Sequence, residues 1–162
     1  MCSSDLVAAN ATRLPAVVPT GCAVWPNDPA LAKLEAERGA LEMVDHAARL
    51  GAEEAGRRVA AMHAFIDRRD IESRWARFSR TYVPTLDQLT FSDAVSRAKA
   101  HAAGTAATPQ TNDIDHLEHA VEVESGVALA SWNHLNRLRR AVDWLTAFLL
   151  QENLLDEYRS WR

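Results

Sequence analysis

The chain has 162 residues, a formal net charge of −4 at pH 7 and 48% hydrophobic residues, which is enough for one domain with its own core and excludes a largely disordered chain. The negative charge argues against a general nucleic-acid binder, and no stretch approaches the roughly 20 apolar residues of a membrane-crossing helix. Alanine is frequent and there are only six glycines, a combination that favours closely packed helices.

Residues 1–28 read as an irregular arm, punctuated by Pro15, Pro19, Pro26 and Gly21. Val17, Val18, Val24 and Trp25 are its candidates for packing onto the body. The opening Met1–Leu6 resembles a translated sequencing adapter, which implies that Met1 is not the native start. The only cysteines, Cys2 and Cys22, lie in this arm without metal-ligand spacing, so a reducing cytoplasm is the expected location. Residues 29–162 read as a single helical-bundle domain. Asp28 is an N-cap and Pro29 sits at the first helical position, where a missing N–H costs nothing. Leu34, Leu41, Ala48, Ala55 and Met62 recur every seven residues, with Val44, Ala52, Val59 and Ile66 beside them. This spacing predicts a helix over 29–67, with Gly51 its weakest point.

Ile71, Trp75, Phe78 and Tyr82 recur at four, three and four, an aromatic helical face that Pro84 ends. Thr90 with Asp93, or Ser92 alone, predicts a capped short helix over 92–103, closed by Gly104. Thr111 or Asn112 then caps a last long helix running to Trp161, bent near Ser125-Gly126. Its stripe includes Leu117, Val121, Ala128, Leu135, Val142, Leu145 and Leu149. No stretch has the alternation of a strand. The expected fold is all-α: a small bundle of two long antiparallel helices and two shorter ones.

Four groups of residues bear on function. Asp115, His116, Glu118, His119 and Glu122 crowd the start of the last helix, and imidazole with carboxylate suits a transition metal. Helical phase turns both histidines away from the apolar stripe, and acidic residues there also complement the helix dipole. Arg58 and His63, an Arg followed after four residues by His, resemble the catalytic signature of HEPN-type ribonucleases. The resemblance implies a small helical dimer in which His63 acts as acid–base and Arg58 stabilises phosphate charge. A basic run, Arg57, Arg58, Arg68, Arg69, Arg74, Arg77 and Arg80, is interleaved with aromatics as in single-strand nucleic-acid binders, but is expected instead to pair with the acidic start of the last helix, within the chain or between chains. Finally, Trp144, Phe148, Leu155, Tyr158 and Trp161 form a second apolar edge. Either a second chain meets this edge or the arm and short helices cover it.

No phosphate loop, nucleophile elbow or dinucleotide fingerprint appears. The expected function is a non-catalytic interaction or assembly module. It needs no cofactor and pairs with itself or another helical protein through Trp144, Phe148, Leu155, Tyr158 and Trp161. A metal-dependent bundle using the His/carboxylate cluster and the ribonuclease are the alternatives.

Overall fold

The computed structural model describes residues 28–84, 89–102 and 113–161. The arm at 1–27, both cysteines, Gly104 and the caps expected at Thr111 and Asn112 lie outside the described residues. Five helices make up the fold, with no strand among the described residues.

Helix α1 spans Pro29–Arg68. The Asp28 carboxylate accepts the Ala30 N–H at 2.8 Å, and proline occupies the first turn as the sequence predicts. Gly51 does not break the helix. A Cβ there would lie 3.1 Å from Leu135 Cδ1, so the missing side chain makes room for a neighbouring helix. Helix α2 spans Glu72–Thr81 and α3 spans Phe91–Ala102. The α3 start is a reciprocal cap. Thr90 Oγ1 accepts the Asp93 N–H at 3.1 Å, and Asp93 Oδ2 accepts the Thr90 hydroxyl at 2.6 Å and its N–H at 3.3 Å.

Helix α4 spans Ile114–Gln151, capped by Asp113, whose carboxylate accepts the His116 N–H at 3.1 Å. It runs through Gly126 without interruption but stops well short of Trp161, correcting the expected length. Asn153 takes the left-handed conformation at φ 57, and a separate helix α5 follows at Leu155–Trp161. The stop is a Schellman turn: Leu154 N–H donates to Leu149 O at 2.8 Å and Asn153 N–H to Leu150 O at 3.1 Å. The same turn ends α1. Asp70 has φ 54, Ile71 N–H donates to Ile66 O and Asp70 N–H to Asp67 O. In each case the apolar pair that closes the turn, Ile66 with Ile71 and Leu149 with Leu154, belongs to one core cluster.

The two long helices form the largest packing contact of the bundle. They are parallel, not antiparallel. Asp45 accepts a hydrogen bond from Ser131, Gly51 meets Leu135, Gly56 faces Leu138, and Met62 and Phe65 share a cluster with Leu145 and Phe148. Position numbers rise together along both helices. The reason is the return path. Arg74 of α2 ion-pairs with Glu152, the Phe78 ring lies 5.5 Å from Phe148, and the Tyr82 carbonyl accepts the Trp144 indole N–H at 2.9 Å. So α2 descends along α4. Helix α3 continues down along α1, with Ala94 clustered beside Val44 and Ala48 and Lys99 paired with Glu37 at 3.1 Å. The chain is back near the start of α1 when α4 begins.

The core has two parts. The larger side chains, Met62, Phe65, Ile66, Phe148, Leu149 and Tyr158, fill the end where α1 and α4 terminate. Each of the aliphatic, Met and Phe burials is worth about 1.5–3 kcal/mol. The middle is small, with Ala48, Ala52 and Ala94 around Trp132 and Leu135, which lets α3 and α4 each approach α1 closely.

Candidate interaction surface

One line of residues runs down α4 to one side of its main apolar stripe: Val123, Val127, Ala130, His134, Arg137, Ala141, Trp144 and Phe148, at steps of four and three. The C-terminal part of this line is covered. Phe148 is 1% exposed, 5.4 Å from the Trp75 ring and 5.5 Å from Phe78. Trp144 is half-buried and held by its bond to Tyr82. Tyr158 is buried against Phe65, with ring centroids 5.6 Å apart, and Leu155 packs on the same cluster. The expected contact set therefore needs correction. Phe148 and Tyr158 are closed within the chain by α2 and α5, and only Trp161, 39% exposed, keeps a substantial open face.

Among the described residues no helix packs over the upstream part of the line; α3 packs chiefly on α1. Val123 is 51% exposed and Val127 37%. At Gly126 an added Cβ would meet nothing within 4 Å. Exposed charges are sorted along the same helix, with Asp115, Glu118 and Glu122 before the apolar centre and Arg137 and Arg140 after it. Sequence reasoning missed this patch. Its signal was Val123, Val127 and Ala130 at i, i+4 and i+7, opposite the core stripe.

The His/carboxylate group gains nothing from the fold. Asp115, His116, Glu118, His119 and Glu122 are all exposed. Among the described residues no three His, Cys, Asp or Glu side chains are grouped to hold a metal ion. Arg58 and His63 face different neighbours. Arg58 lines two adjoining clefts between α1, α4 and α5, of about 430 and 320 Å³, which share Thr146. His63 stands edge-on to Trp75 at 5.9 Å. One chain does not bring the two together. The basic run also finds other partners than expected. Arg69 pairs with Glu157 of α5 and Arg74 with Glu152 just after α4, because parallel packing puts the acidic start of α4 at the opposite end of the bundle.

No family model, no curated protein and no solved structure matches the chain. Among the described residues no helix is long and apolar enough to cross a membrane.

Proposed function

We propose that the chain is a non-catalytic helical interaction module that self-associates. One observation supports this reading: the outer side of α4 upstream of Trp144 exposes Val123 and Val127, where no other helix of the described chain packs over it. Downstream, the same side is covered by α2. A helix that is apolar on a second side gains by burying it against another surface.

Sedimentation of the protein over a wide concentration range tests the reading. Wild type is expected to dimerise at tens of micromolar, and Val123→Glu with Val127→Glu to weaken this at least about tenfold with an unchanged circular-dichroism spectrum, because both positions are exposed. A wild-type chain that stays monomeric to several hundred micromolar would rule self-association out.

A further inference from the structure

We propose that the hollow between α1, α4 and α5 binds a small organic acid. Arg58 and Arg159 hold its carboxylate, and its apolar body lies against Met62 and Leu155. The inference goes beyond the self-association proposed above and stands without it.

The turn at Asn153 builds this hollow. A straight α4 would carry Leu155 and Arg159 past the end of α1. The turn instead brings α5 back, so that Tyr158 stands against Phe65. Leu155 and Arg159 then line a hollow of about 320 Å³ together with Arg58 and Met62 of α1 and Thr146 of α4.

Three features give the hollow its chemistry. It is cationic, since Arg58 and Arg159 line it and no acidic residue does. Arg58 makes no ion pair with another described residue. Arg159 has Asp156 at 3.0 Å, but both side chains are well exposed, and a guanidinium keeps further N–H donors for a second carboxylate. Tyr158 also lines the hollow. It is only 3% exposed, and its hydroxyl has no hydrogen-bond partner among the described residues. A buried hydroxyl left so is costly, and an acid oxygen entering the hollow supplies the acceptor. Met62 and Leu155 make much of the remaining wall apolar, which suits a hydrocarbon body.

Charge next door narrows the class. The adjoining cleft shares Arg58 and Thr146, but it adds Glu54 and Asp143 to a single further arginine, Arg139. The two carboxylates repel negative charge. A polyanion spanning both clefts is therefore disfavoured, and a monoanion confined to the hollow is not.

Amide NMR of the full chain titrated with hexanoate tests the inference, with hexanol and inorganic phosphate as controls. Hexanoate is expected to shift the amides around Arg58, Thr146 and Tyr158 with a Kd of about 1 mM, and hexanol and phosphate to bind at least about fivefold more weakly. Arg58→Gln is expected to weaken hexanoate at least about fivefold, since the side chain is exposed and the fold does not rest on it. Tyr158→Phe should weaken hexanoate about threefold while leaving the Tm of the free protein unchanged or raised, because it removes only the unpaired hydroxyl. No shift at these amides by about 10 mM, or equal binding of hexanol, overturns the site. Phosphate binding as tightly as hexanoate overturns the organic-acid class. If Arg58→Gln binds like wild type, or Tyr158→Phe lowers the Tm without touching affinity, those residues serve the fold and the assignment is wrong.

Discussion

The two parts of the outer line on α4 are built from different residues although one helix carries both. Where α2 lies over it, the line holds Trp144 and Phe148. Where nothing in the described chain lies over it, it holds Val123, Gly126, Val127 and Ala130. Large aromatics lose most if left in water, so their positions record a cover supplied by the chain itself. Small aliphatics tolerate exposure in the single chain and still allow another backbone to approach. Size along this second apolar side therefore follows the cover that the described chain supplies.

Truncating the covered part should produce the largest effect. Phe148→Ala is expected to destabilise the fold by about 3–5 kcal/mol, since the ring is fully enclosed between α2 and the core. Urea denaturation measures it, and a loss below about 1 kcal/mol would mean that α2 does not seal this end. The next effect concerns the placement of α3, whose packing on α1 leaves the upstream part bare. Thr90→Ala removes the reciprocal cap and should cost about 1 kcal/mol at neutral pH. The hydrogen bonds from the Thr90 hydroxyl and N–H hold the Asp93 carboxyl below its usual pKa. A lowered folded-state value stabilises above the unfolded-state pKa of about 3.9 and is lost as pH falls through the folded value. The gap between wild type and Thr90→Ala should therefore narrow as the pH drops below about 4; a gap that widens there refutes this assignment. The smallest effect lies in the bare part. Gly126→Ala should stabilise the monomer by up to about 1 kcal/mol, because helix propensity rises and the new Cβ meets nothing. A destabilised Gly126→Ala monomer would show that this side is already packed within the chain.

Local signals in the sequence were read well. Asp28-Pro29, the aromatic face ending at Pro84 and the Thr90–Asp93 cap each concern a few neighbouring residues, and the helices begin or end where these predict. The stop after Gln151 was missed although Asn153 is a residue that tolerates the left-handed turn. Leu154 and Leu155 continued the apolar pattern and hid the break. The direction of α4 was not legible, because periodicity along one helix is blind to the path between helices. The clue was that two short helices separate the long ones, enough chain to return to the starting end. The site suffered from the same gap. Helical phase marked out a second apolar side of α4, but only the course of α2 and α3 decides which part of that side is covered.

The parallel arrangement of α1 and α4 also bears on how the chain folds. Asp45 and Ser131, which join the two helices, are 86 positions apart. Closing so long a segment costs about 2–3 kcal/mol more entropy than closing a short helical hairpin. High sequence separation slows folding, and during synthesis α1 is complete long before α4 exists. Helix α3 offers the intervening step. Its alanine-lined contact with α1 can form first and shorten the remaining search, so that α4 arrives at a seam already partly assembled.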